Sequence, residues 1–148
     1  MKTWLLSAFS LFMVATSLSA KTGWDDDYEK SLAKAKESKK MVLLDFTGSD
    51  WCGYCMKLDA EVFSKPAFKK FAKANLILVE LDFPHNTPLP KKTEAQNKEL
   101  GRKYNVNGYP TIVLLDSEGK EAARFVGYDP ELLSKLEAKV GKPKTDAK

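Results

Sequence analysis

Cys52 and Cys55 are the only two cysteines in the 148 residues, and they stand three positions apart in Trp51-Cys52-Gly53-Tyr54-Cys55. A disulfide across so short a loop constrains the unfolded chain very little, so the pair is poorly placed to staple a fold. Exchange is the chemistry that fits it. The thiolate is the attacking species, and a cysteine at a helix N-terminus ionises more readily because backbone N–H groups and the helix dipole favour negative charge there. From such a position Cys52 can attack a disulfide and form a mixed disulfide. Cys55, one turn further in, can then attack Cys52 and release the reduced product. Metal binding is the rival chemistry, since two cysteines at this spacing are half of a zinc site. The other half is missing, because the sequence holds one histidine, His85, and no second cysteine pair. His85 itself reads as a loop residue, not as a ligand or a catalytic base.

This chemistry needs Cys52 at the mouth of a helix, and the flanking sequence provides one. Met41-Val42-Leu43-Leu44-Asp45-Phe46 is a short, nearly continuous apolar run, the pattern of a strand buried on both faces. Leu76 to Leu81 and Thr111 to Leu115 read the same way. Glu121 to Val126 follows the turn Ser117-Glu118-Gly119-Lys120, which makes 111–126 a hairpin. Helical patterns lie between the strands. One runs from Tyr28 to Lys39 behind the acidic cap Asp25-Asp26-Asp27, with Tyr28, Leu32 and Ala35 as its apolar stripe. Another runs from Cys52 to about Ala74, interrupted at Pro66. A third covers about Thr93 to Tyr104, and the last spans Asp129 to Val140 with Pro130 in its first turn. The stretch Phe83 to Lys92 carries Pro84, Pro88 and Pro90 and reads as an irregular loop. Strands alternating with helices, then a hairpin and a closing helix, predict an α/β sandwich around a mixed sheet.

Length argues for one domain, and 43% apolar with 30% charged residues is ordinary for a globular chain. The net charge of +4 comes from charges of both signs spread along the sequence, with no basic block suited to nucleic acid. The first twenty residues differ from the rest. Lys2 is the one charge before Lys21, an apolar stretch from Trp4 to Val14 follows it, and small residues end the segment at Ala20. That order describes a secretory signal peptide over residues 1–20, with an uncleaved membrane anchor as the alternative. The expected domain then covers 21–140, with a frayed tail over 141–148. Export places the cysteines in an exported, periplasmic or otherwise extracytoplasmic setting.

Asp45-Phe46, then Trp51-Cys52-Gly53-Tyr54-Cys55, then Gly108-Tyr109-Pro110-Thr111 opening a strand, resembles the thioredoxin superfamily, in particular its exported thioredoxin-like and disulfide-interchange domains. The resemblance covers roughly residues 24–140 and implies a three-layer α/β sandwich with a central mixed β-sheet flanked by helices. It implies Cys52 as nucleophile, Cys55 as resolving thiol and Asp45 as the buried acid that takes the Cys55 proton. It implies a cis peptide bond before Pro110, which aims the Tyr109 backbone at an extended substrate segment. Trp51, Gly53 and Tyr54 complete the implied substrate surface. No cofactor is implied beyond the Cys52–Cys55 disulfide, and no metal. This sequence departs from the family in three places. Thr47-Gly48-Ser49-Asp50 is one residue longer than in thioredoxin. Loop 84–92 is an insertion. The lysine that the family often carries near the buried acid is absent from 76–83, where only the acids Glu80 and Asp82 stand.

The function expected on these grounds is thiol–disulfide interchange, foremost a periplasmic dithiol reductase or electron carrier acting on disulfides of exported proteins. A membrane thiol donor would re-reduce it, and a monomer is expected. An oxidase or isomerase using the same cysteines, or a peptide-binding protein without redox turnover, are the alternatives.

Overall fold

The computed structural model describes residues 21–141, so the expected signal segment and residues 142–148 of the expected tail lie outside the described residues. Four strands carry the core: β1 (Met41–Thr47), β2 (Leu76–Asp82), β3 (Thr111–Leu115) and β4 (Glu121–Val126). Their order in the sheet is β2-β1-β3-β4. β1 runs parallel to β2 and antiparallel to β3, and β3 and β4 form the antiparallel hairpin, so the sheet is mixed.

Side chains alternate across each strand, and here both faces are covered. Val42, Leu44 and Phe46 of β1 face one core with Val113 and Leu115, under α1 (Tyr28–Ser38) and α4 (Lys91–Lys103). Leu43 faces the other core with Ile112 and Leu114, under α2 (Gly53–Leu58), α3 (Pro66–Asn75) and α5 (Leu132–Val140). The three layers implied by the resemblance are present. Burial on both faces explains why β1 and β3 read as continuous apolar runs and β4, at the sheet edge, does not.

Helix ends follow their local chemistry. The Asp27 carboxylate caps α1 by accepting from the Lys30 N–H at 3.0 Å. The pattern expected from Cys52 to Ala74 is three pieces: α2, one π-helical turn (Asp59–Phe63), and α3 with Pro66 at its start. Two helix starts differ from the sequence reading by two residues or more. α4 begins at Lys91, directly behind Pro90, because a proline ahead of the first turn has no N–H to lose. α5 begins at Leu132, because Asp129 folds back first, its carboxylate accepting from the Glu131 N–H at 2.9 Å.

Candidate active site

β1 ends at Thr47, and four residues later the chain turns into α2. Cys52 is the N-cap of that helix, with extended backbone angles. Its N–H donates to the Gly48 carbonyl at 2.9 Å, and its own carbonyl accepts from the Met56 N–H at 3.1 Å. Cys52 and Cys55 are joined in a disulfide with Cα atoms 5.2 Å apart. The Cys55 N–H donates to Cys52 Sγ at 3.2 Å, so one of the free N–H groups of the helix start points at the sulfur that would carry the thiolate. Both cysteines are 6% exposed. Trp51, Tyr54 and Met56 beside them are three of the four exposed large hydrophobic side chains among the described residues, so apolar surface is concentrated around the disulfide.

Asp45 lies on the same face of β1 as Leu43, the face that α2 covers, as the period of two requires. It is 2% exposed. Burial pushes its carboxyl up to about 6, against the opposing pull of Lys21. Its Oδ1 is buried without a hydrogen-bond partner. Directly across the parallel ladder stands Glu80, and the π-helical turn adds Asp59. Three carboxylates on one spot repel, and one cation answers them. Lys21 Nζ lies 3.2 Å from Asp45 Oδ2, 3.0 Å from Asp59 Oδ1 and 3.5 Å from Glu80 Oε1. Burial pulls the Lys21 ammonium down, but the three acids outweigh it and hold the group above its usual value. A cleft of about 510 Å³ is lined by Lys21, Asp59, Glu80 and Cys55 together, which links the acid cluster to the inner cysteine.

On the other side of the disulfide the Phe83–Pro90 loop forms a wall. Asp50 accepts the backbone N–H groups of His85, Asn86 and Thr87 at 2.8, 2.7 and 3.0 Å, and these bonds hold its carboxyl below the usual range. Trp51 Nε1 donates to the Phe83 carbonyl at 2.7 Å. The Trp51 ring stacks on His85 with centroids 4.4 Å apart, and Tyr109 meets it edge-on at 5.6 Å. A Cβ at Gly48 would stand 2.6 Å from Trp51 Nε1, so only glycine leaves room for this ring. The Tyr109–Pro110 bond is cis, as the resemblance implied.

The match to known proteins follows this geometry. The family model for the thioredoxin-like domain covers residues 28–139. The chain belongs to the thioredoxin-like domain family. It is 38% identical over 112 residues to the disulfide bond reductase DsbH of Chlamydia pneumoniae, spanning 76% of this chain and 66% of that one. It is 34% identical over 113 residues to the thioredoxin-related protein DsbJ of the same organism, where the match covers 76% of this chain and 32% of the relative. The chain therefore spans just under two thirds of the first of these curated relatives and about one third of the second. Among solved structures, the DsbH oxidoreductase superposes with a TM-score of 0.73 at 33% identity, over 90% of this chain and 94% of that one.

The thioredoxin-like fold thus brings Trp51, Cys52, Tyr54 and Cys55 to the start of one helix, and Tyr109 beside Trp51. Asp45 stands below, on the covered face. Gly53 opens α2 with open space around it. The sequence reading missed Lys21, Asp59 and the clasp by Asp50. Lys21 sits 24 positions from Asp45, outside the matched 28–139, and no spacing rule connects them. One signal did exist: two acids in register on neighbouring buried strands demand a cation from elsewhere. His85 is a loop residue, and it also faces Trp51. Among the described residues no group of three or more His, Cys, Asp and Glu side chains is arranged to hold a metal ion, and no helix is long and apolar enough to cross a membrane.

Proposed function

We propose that this chain is an exported thiol–disulfide oxidoreductase that works as a dithiol reductase or electron carrier. The observation that carries the proposal is the Cys52–Cys55 disulfide at the start of α2, with the Cys55 N–H directed at Cys52 Sγ. The reduced form begins the cycle. The Cys52 thiolate attacks one sulfur of a substrate disulfide, the substrate S–S bond breaks, and one substrate thiolate leaves. Cys55 then loses its proton, with Asp45 as the proposed acceptor, and attacks Cys52 Sγ. The mixed disulfide breaks, the second substrate thiolate leaves, and the Cys52–Cys55 disulfide remains. Two electrons have passed from the dithiol to the substrate. A membrane thiol donor returns them.

Substrate recognition follows from the surface. Trp51, Tyr54 and Tyr109 offer apolar contact beside the disulfide, while Gly53 leaves the approach to Cys52 open. The Tyr109 backbone before Pro110 is the proposed pairing edge for an extended substrate segment. The names of DsbH and DsbJ support the reductase and thioredoxin-related reading. Residues 1–20 support export to the periplasm or its equivalent, as a signal peptide ahead of a domain over 21–140.

Insulin reduction tests the proposal. Cys52→Ser abolishes turnover, and Cys55→Ser accumulates mixed disulfides that run as adducts on a non-reducing gel. Full activity in Cys52→Ser refutes the mechanism. Equilibration in thiol buffers then gives the direction: a potential near about −270 mV fits a reductase, and one towards about −120 mV an oxidant.

A further inference from the structure

The segment ahead of α1 is built into the site. Asp25 bridges to Val79 of β2, its N–H donating to the Leu78 carbonyl at 2.9 Å and its carbonyl accepting from the Glu80 N–H at 2.8 Å. Trp24 packs on Phe63 at 5.0 Å and stacks on Phe68 at 6.4 Å. These contacts fix where Lys21 begins. Its ammonium lies 4.1 Å from the Trp24 ring centroid and 4.9 Å from that of Phe63, and its backbone N–H donates to Glu80 Oε2 at 3.4 Å. The side chain runs from there into the acid cluster.

Among the described residues, the charged side chains facing Asp45 can be named. Lys21 comes from this segment, Asp59 from the π-helical turn and Glu80 from β2. β3 opposes Asp45 with the uncharged Ile112. Cys55 of α2 lines the cleft that Lys21, Asp59 and Glu80 share. Two of the three neighbours push the Asp45 proton on, and one draws it off. Without the Lys21 ammonium, the side-chain charge near Asp45 among the described residues has one sign.

We propose that Lys21 is a positioning residue for disulfide exchange: delivered by a strap over residues 21–25, its ammonium governs whether Asp45 is charged and so whether Asp45 can take the proton of Cys55. This rests on the exchange mechanism above. The strap lies outside the matched thioredoxin-like region of residues 28–139, so a relative that shares the domain need not share the device.

The test compares the parent with Lys21→Met and Lys21→Arg, each as the full chain, oxidised for the titration and reduced for the kinetics. The carboxyl carbon of Asp45 is titrated by NMR, and the pH profile of mixed-disulfide resolution is followed by stopped flow. In Lys21→Met the Asp45 midpoint rises by about one pH unit or more, the size expected for losing an opposite charge at this distance. The resolution profile moves to higher pH with it. Lys21→Arg restores both, because the charge returns. Lys21→Met in an Asp45→Asn background leaves the profile of Asp45→Asn unchanged. An Asp45 midpoint in Lys21→Met equal to that of the parent overturns the proposal, as does a Lys21→Arg that behaves like Lys21→Met. Should Lys21→Met fold poorly, Lys21→Gln reads the same charge loss with a polar end. A parent with no exchange activity would sink the mechanism instead, and the NMR midpoints would still decide whether Lys21 controls Asp45.

Discussion

Asp45→Asn makes a quantitative claim. Folding moves the Asp45 carboxyl from 3.8 to about 6 because burial disfavours its charge. At about 1.4 kcal/mol per pH unit, that shift means the ionised form destabilises the fold by about 3 kcal/mol at neutral pH. The sign is set by proton binding. Between pH 4 and pH 6 the native state holds a proton on Asp45 that the unfolded chain has released, so stability falls as pH rises through this window. Below about pH 3 both states are protonated and the cost is absent; above about pH 7 it is complete. Asparagine fills nearly the same volume and does not titrate, and Lys21 keeps Asp59 and Glu80 as partners. Urea unfolding of the oxidised protein, extrapolated linearly at each pH, measures the difference. The free energy of Asp45→Asn relative to the parent should improve by about 2.5 kcal/mol between pH 4 and pH 7.5. A difference that stays constant within about 0.5 kcal/mol across that range refutes the claim that Asp45 is buried and costly. The same substitution should slow mixed-disulfide resolution by about a hundredfold or more, the usual contribution of a lost general base. A more stable and slower variant is the combined signature.

Three further outcomes follow from the geometry. Gly48→Ala drives a methyl group into the Trp51 ring, so it should cost about 1–3 kcal/mol by overpacking and change Trp51 fluorescence as the His85 stack opens; an unchanged spectrum and stability would mean the ring is not seated there. Asp50→Ala removes the acceptor of three loop N–H groups, and hydrogen exchange at His85, Asn86 and Thr87 should accelerate while exchange in β1 and β3 does not; in the parent this clasp should persist below the usual carboxylate range and release only as pH falls through the lowered Asp50 value. Asn97→Ala strips the donor from the Asp82 carbonyl, a bond of 2.9 Å made by a residue only 1% exposed, and should cost about 1–3 kcal/mol in thermal or urea unfolding.

What could be read from the sequence was what repeats at short range. β1 and β3 announced themselves because both of their faces are covered, and Asp27 because a cap bonds three residues ahead. The cysteine pair was legible because its spacing is meaningful in itself. Longer-range partnerships had no such signal. Lys21 reads as an ordinary lysine behind an apolar stretch, and only the register of Asp45 against Glu80 reveals the charge it must answer. The stretch 83–92 read as irregular because prolines forbid regular pairing; 83–90 is irregular and α4 takes over at Lys91. Its order comes instead from Asp50, 35 positions before His85, which composition could not link to it. The break of the long middle helix at Pro66 was legible, but the π-helical turn before it escaped, since such a turn keeps the same apolar residues that a continuous helix would show.

The bridge between Asp25 and Val79 has a second effect, at the rim of the sheet. An open four-stranded sheet has two edges, and each is a template on which another chain can add a strand. The outer edge of β2 is closed at its centre, because the Leu78 carbonyl and the Glu80 N–H are already bonded to Asp25. That leaves β4, which is six residues long, carries the Glu121–Arg124 ion pair, and sits beside a bulge at Leu114/Leu115. Short length, paired charges and an irregular register each discourage edge-to-edge growth. The strap that seats Lys21 therefore also guards this protein against copying its own sheet from molecule to molecule.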